Sequence, residues 1–256
     1  MQGRSNISRP KSLISLGCLH PIKAPEGSPI SYYPCGHCQA CLLAKSNAHT
    51  QALNFELMYN GEYPIFALLT YSNSNLPLVE VHYDYLFKKD YQVTVFDIET
   101  GEELTSMILL ENELKQTINY ANKKRITDRL RFVAGTGGTF ITSTLRFSDV
   151  QKFLKRLRRF NEKQGMPCVR YAYCGEYGPT TQRPHYHLIL FCQSALQRAL
   201  LAKYIMQNWD YGFANSQYFN GSNGGYISQY INSPDDVGTL FFRLRSIRPR
   251  FFHSIT

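Results

Sequence analysis

The spacing of apolar residues changes along the chain, and each change marks an element. From Cys38 to Tyr59 helix formers dominate, and Leu42, Ala48, Ala52, Phe55 and Met58 fall on one stripe, which predicts a helix. Residues 64–71, PIFALLTY, form an apolar run of strand length between Pro64 and the polar turn Ser72 to Asn75, which predicts a buried strand. Between Tyr91 and Ile98, Val93 and Val95 alternate with Thr94 and Phe96. The turn Glu99-Thr100-Gly101-Glu102 follows, so a hairpin is expected. Residues 111–132 are polar and mixed and suit helix or loop, and 79–140 reads as an insertion.

Val150, Phe153, Leu154, Leu157 and Phe160 recur at helical spacing until Gly165 and Pro167. Ser148-Asp149-Val150-Gln151 reads as the capping box that opens this helix, with Ser148 as N-cap. Val169 to Tyr177 and His185 to Cys192 read as two strands of one hairpin joined by GPTTQRP, and residues 195–208 as a helix after Ser194. Asn220 to Gly225 breaks the chain before a short helix, Tyr226 to Asn232, which Pro234 ends. The sum is an α+β fold, with a central antiparallel sheet carrying the His strand in its middle and helices flanking it. A Cys-rich N-terminal segment, residues 1–50, precedes a main domain, residues 51–256.

Composition narrows the function. The chain has 28 Lys and Arg against 19 Asp and Glu, a net charge of +9, which points to a polyanionic partner. Eighteen tyrosines and 16 phenylalanines argue against disorder and offer stacking faces. No apolar run reaches the length of a membrane span and MQGRSNISRPKSL lacks a signal-peptide core, so a soluble, cytosolic protein away from membranes is expected. The predicted helix 148–164 carries Lys152, Lys155, Arg156, Arg158, Arg159 and Lys163 on its polar face, which reads either as a solvated face or as a DNA-binding one. Gly135 to Thr139 lacks the following G-K-[ST] of a phosphate loop and reads as plain loop.

Two constellations carry chemistry. His185 and His187 lie at i and i+2 on one strand and therefore face one side, while Glu176 would sit across the hairpin from them. Such a His-His-Glu set suits Mg2+ or Mn2+ acting on a phosphoryl oxygen. The plainer alternative is a structural histidine pair with Glu176 as a salt-bridge partner. Tyr226 and Tyr230, at i and i+4, share a helix face. They read either as ordinary surface tyrosines or as nucleophiles, since a phenol can attack phosphorus and store the phosphodiester energy. Cys18, Cys35, Cys38 and Cys41 support a tetrahedral structural zinc site, with His37 as a substitute ligand, or free thiols. An iron–sulfur centre would need the ferredoxin cysteine pattern, which is absent. Cys168, Cys174 and Cys192 read as small buried apolar residues.

Taken together, the strand PHYHLILF, the upstream CGEYG, the tyrosines of GGYISQY, the cluster PCGHCQAC and the strand FALLTY resemble the replication initiator (Rep) family of small single-stranded DNA bacteriophages, the microviruses. The likeness is greatest to the gokushovirus-like branch, within the His-hydrophobic-His (HUH) endonuclease superfamily. It covers about residues 18–75 and 145–250, with the elements in the family's order. The resemblance implies an HUH-like fold and a nickase that opens an origin by joining its 5′ phosphate to a tyrosine. It would leave a 3′-hydroxyl for the host DNA polymerase and later rejoin the displaced strand. It implies His185, His187 and Glu176 as metal ligands and Tyr226 and Tyr230 as alternating nucleophiles. Single-stranded origin DNA and a host helicase are the further partners implied, in the cytoplasm of a bacterial host. The chain departs from the family where Lys or Arg usually precedes the second tyrosine and Lys follows it, because Gln229 and Asn232-Ser233 stand there. A noncatalytic single-stranded DNA binder and a single-tyrosine transposase or relaxase remain the rival classes.

Overall fold

Ile65, Ala67, Leu69 and Tyr71 are buried while the intervening Phe66, Leu68 and Thr70 are half-buried, so this strand separates a closed face from a more open one. The same division runs through the whole central sheet. The computed structural model describes residues 17–36, 38–60, 62–126, 130–178, 180–218 and 251–253. In chain order the elements are β1 (Ile22–Lys23), β2 (Tyr32–Tyr33), α1 (Gln39–Asn60), β3 (Ile65–Tyr71), β4 (Leu78–Tyr85), β5 (Asp90–Asp97) and β6 (Glu103–Leu110). They continue with α2 (Glu111–Lys123), β7 (Gly138–Ser143), α3 (Phe147–Lys163), β8 (Arg170–Tyr177), β9 (Pro184–Phe191), α4 (Ala195–Asn208), β10 (Gly212–Tyr218) and β11 (Phe251–His253).

The expected α+β fold with a Cys-rich N-terminal segment is present, and the His strand is central. Strand order in the five-stranded sheet is β10-β3-β9-β8-β11, with every pairing antiparallel. On the closed face, Leu69, Tyr71, Tyr173, Tyr186, Leu188 and Leu190 meet Val150, Phe153, Leu154 and Leu157 of α3 and Leu201 and Ile205 of α4. These apolar helix stripes are what the sequence periodicity predicted. On the other face, α1 covers only one end of the sheet, where Leu53 packs with Ala172, Cys174, Ile189 and Phe191. An ion pair of 2.6 Å between Arg170 and Glu56 pins the helix there.

Helix α3 begins differently from the expected capping box. Its N-cap is Arg146, not Ser148, which lies inside the first turn. Phe147 packs edge-on against Tyr186 and tilts against Tyr173, drawing that turn onto the sheet. Asp149 is thereby buried and accepts a hydrogen bond from Tyr71 Oη at 3.0 Å. Burial raises the Asp149 carboxyl above its ordinary range although Tyr71 and Arg146 oppose the shift.

Residues between β3 and α3 build a second antiparallel sheet, in the order β6-β5-β4-β7. It has its own core, with Val79, Val81, Tyr91, Val93 and Val95 packed against Leu114 and Ile118 of α2. The polar stretch after 110 resolves as a helix because Glu113 Oε2 accepts the Leu110 N–H at 2.9 Å, satisfying one donor at its start. Arg146 clasps this sheet to the central one, donating to Asp97 Oδ2 at 2.7 Å and also to Glu99. Among the described residues no helix is long and apolar enough to cross a membrane.

Candidate metal centre and its sheet face

Strand pairing sets Glu176 of β8 directly opposite His185 of β9, and Cys174 opposite His187. All four therefore point to the face that α1 leaves partly open. Glu176 Oε2 lies 2.8 Å from His187 Nε2 and 3.2 Å from His185 Nε2. The three donor atoms are all within 4.8 Å of one another. Adjacent ligands of an octahedral Mg2+ at about 2.1 Å would be about 3.0 Å apart, so the spacing fits such an ion.

Surrounding groups fix the imidazoles. His185 Nδ1 lies 3.1 Å from the Arg183 carbonyl, which can only accept, so Nδ1 carries a proton and Nε2 faces Glu176. In a neutral imidazole that arrangement aims a lone pair at a carboxylate, and a proton or a cation must sit between them. Arg183 is itself anchored, donating from Nε to the Tyr71 carbonyl at 3.1 Å and from its guanidinium to Asn73 Oδ1 at 2.9 Å. Phe66 stacks on His187 with ring centroids 5.6 Å apart. Burial pushes Glu176 up, but hydrogen bonds from His185 and His187 outweigh it and hold the carboxyl below its ordinary range. Neither Arg183 nor Phe66 stood out in the sequence, since one acts through a carbonyl and the other through cross-strand register.

The cysteines of the N-terminal segment converge as well. Cys35 and Cys41 sulfurs are 4.0 Å apart and those of Cys18 and Cys38 3.9 Å, and all four lie within 4.8 Å of one another. Four thiolates at about 2.3 Å from a zinc ion would be separated by about 3.8 Å, a close fit. The Leu19 N–H points at Cys38 Sγ at 3.4 Å and the Cys35 N–H at Cys18 Sγ at 3.3 Å. The Leu19 amide, aided by that of Cys41, pulls the Cys38 thiol down to about 6, and the Cys35 amide lowers Cys18. These are donors placed for thiolates. Of the other cysteines, Cys174 and Cys192 are buried as expected, and burial pushes Cys192 up to about 12. Cys168 is exposed, contrary to expectation, because it lies in the turn between α3 and β8.

The remaining candidates separate. Lys152, Lys155 and Arg159 are exposed on α3, which packs on the closed face, across the sheet from Glu176 and the histidines. Arg156 is engaged with Asp210 at 2.6 Å. Tyr226, Tyr230 and His37 lie outside the described residues.

The fold and the site thus define an antiparallel-sheet protein with a two-histidine, one-carboxylate candidate metal centre on an open face. Residues 139–235, which include that centre and both Tyr226 and Tyr230, match a family model for replication-associated proteins of the ORF2 kind. The chain is also 29% identical over 93 residues to "Replication-associated protein ORF2" of Spiroplasma virus 4. That match takes in 32% of this chain and spans only 29% of the length of the relative. Both findings support a viral replication protein. A crystal structure of a hypothetical protein matches with TM-score 0.16 and 9% identity over 88% of this chain and 83% of the other, too distant to bear on fold or function.

Proposed function

We propose that the protein is a metal-dependent nicking and rejoining enzyme that initiates rolling-circle replication of phage DNA through a 5′-phosphotyrosine. The convergence of Glu176, His185 and His187 on an open sheet face carries this reading. The family match over residues 139–235 supports it. Mg2+ or Mn2+ held by these three side chains would supply Lewis-acid polarisation of a phosphoryl oxygen. Glu176 offsets positive charge there, while the Arg183 carbonyl and the Phe66 ring keep the imidazoles aimed.

The nucleophile is the hydroxyl of Tyr226 or Tyr230. Its oxygen bonds to the scissile phosphorus, the P–O3′ bond breaks, and the phenolic proton passes to the departing 3′ oxygen. The products are a 5′-phosphotyrosine and a free 3′-hydroxyl, which a host DNA polymerase extends while a host helicase separates the strands. Attack by a 3′-hydroxyl reverses the step and returns the proton to the phenol. Two tyrosines permit a second transfer before the first end is released. Zinc at Cys18, Cys35, Cys38 and Cys41 has a structural role, fastening the N-terminal segment to the start of α1.

The test is incubation of the full chain with Mn2+ and a panel of labelled single-stranded phage-origin oligonucleotides. A covalent adduct surviving denaturing electrophoresis is expected, with label mapping to Tyr226 and Tyr230. Tyr226→Phe and Tyr230→Phe should each keep some adduct, and the double variant none. Label on one tyrosine alone, whose Phe variant is inert, would replace the two-nucleophile mechanism with a single-tyrosine one.

The basic face of α3 makes a separate contribution. Neutralising Lys152, Lys155 and Arg159 together should lower the slope of log affinity against log salt by about 2, at about 0.7 per lost single-strand phosphate contact. A slope equal to that of the wild type would remove α3 from the DNA-binding surface.

A further inference from the structure

The open face does not end at the metal ligands. Strand register sets Glu176 opposite His185, His185 opposite Thr70, and Thr70 opposite Phe213, so one row crosses four strands to β10. With adjacent strands about 4.8 Å apart, the Phe213 backbone is about 10 Å from that of His185. The next two rows end at Asn215, beyond His187 and Leu68, and at Gln217, beyond Ile189 and Phe66. Phe213 is 72% exposed, and Asn215 and Gln217 are exposed too. The opposite face of β10 is packed on α4, where Ser216 Oγ donates to the Ala202 carbonyl at 3.4 Å.

Rigid backbone carries these three side chains. Thr70 Oγ1 donates to the Phe213 carbonyl at 3.1 Å, and Trp209 Nε1 donates to the Thr70 carbonyl at 2.8 Å. Gly212 lets β10 begin flush against β3, because a Cβ there would collide with the Thr70 carbonyl oxygen and the Ser72 nitrogen. A large exposed ring on such a framework, continuous with the metal face, is placed to meet a ligand.

Resting on the nuclease reading of Glu176, His185 and His187, we infer that Phe213, Asn215 and Gln217 are the base-reading stripe for single-stranded DNA flanking the scissile phosphate. Phe213 stacks on one unpaired base. Each amide offers both donor and acceptor to the exposed edge of a base. Alternate residues on a strand are about 6.8 Å apart, so the three meet successive nucleotides of an extended strand.

Wild type, Phe213→Ala, Phe213→Trp and the Asn215→Ala/Gln217→Ala double variant are incubated with Mn2+ and a single-stranded DNA library carrying a randomised window, and the cleaved molecules are sequenced. Binding to oligothymidylate is measured in parallel by fluorescence anisotropy. Phe213→Ala should weaken oligothymidylate binding and raise KM for the preferred sequence about tenfold, and Phe213→Trp should restore both. The double amide variant should relax the sequence preference at neighbouring positions, which a merely structural role would not do. The inference is overturned if every variant selects the same sequence with wild-type KM. Should the wild type cut nothing, the nuclease reading falls, and equal oligothymidylate binding by wild type and Phe213→Ala would overturn the stripe independently. A Phe213-dependent dimer in sedimentation with unchanged DNA affinity would overturn it in favour of a second copy on this edge.

Discussion

With His185 and His187 both replaced by alanine, the protein is expected to bind single-stranded DNA nearly as well as the wild type and to cut it at least about 1000-fold more slowly. Binding draws chiefly on phosphate charge, which the histidines do not supply at neutral pH. Cutting draws on Lewis-acid stabilisation worth several kcal/mol, and each 1.4 kcal/mol is about tenfold in rate. The double variant strands Glu176, which loses both imidazole partners at 2.8 and 3.2 Å, so a second variant guards against a folding artefact. Glu176→Gln keeps the shape and one acceptor oxygen but loses the charge, and it should lower the cutting rate about 100-fold with unchanged thermal stability. Persistent nicking by the double variant in EDTA would remove the metal from the mechanism.

Purified without chelator, the chain should contain close to one zinc per molecule, and Cys35→Ser or Cys38→Ser should abolish it. Ile22, Tyr32 and Tyr33 of the small β1-β2 hairpin are all exposed, as is Leu19, so the segment buries too little to fold on its own apolar contacts. Binding energy of a structural zinc is folding energy in such a segment, on the order of 10 kcal/mol. Part of it reaches the rest of the protein, because Cys41 opens α1, which reaches the site face through Leu53. A fall in Tm of about 5 °C or more is therefore expected for the Ser variants, at about 2–4 °C per kcal/mol in a chain of this size. Protease should also cut between residues 18 and 38 in the variants before it does in the wild type. Zinc-free protein whose Tm is unmoved by either substitution would leave these as free thiols.

Much of the site's geometry was legible because period-2 arithmetic is local. His185 and His187 must share a face of any strand, and a short connection after Glu176 places that carboxylate beside them. The helices were legible for the same reason, as in α4, whose predicted cap Ser194 accepts the Gln197 N–H at 3.1 Å. The start of α3 was misread because tertiary packing overrode a local signal. Ser148 and Gln151 satisfy the capping-box pattern, yet Phe147 gains more by joining the aromatic layer on the sheet, and Asp149 is drawn in with it. The side on which α3 lies was out of reach, since a basic stripe states its own polarity but not which sheet face its apolar side will cover. The same holds for Phe213, Asn215 and Gln217, whose alternation is plain in GFANSQY but whose alignment with His185 depends on pairing through β3.

The way the chain enters and leaves the second sheet has an evolutionary consequence. Leu78 at the start of β4 is paired with Ser143 at the end of β7, and the Thr144 N–H donates to the Pro77 carbonyl at 2.9 Å. The excursion between them hangs from a stalk two strands wide, closed at its base by hydrogen bonds. Growth, loss or exchange of the material beyond that stalk leaves the spacing of β3 and α3 as it is. The cost falls on the Arg146 clasp to Asp97 and Glu99, a contact at the surface of the excursion. The central sheet can therefore descend through lineages unchanged while its passenger is rewritten.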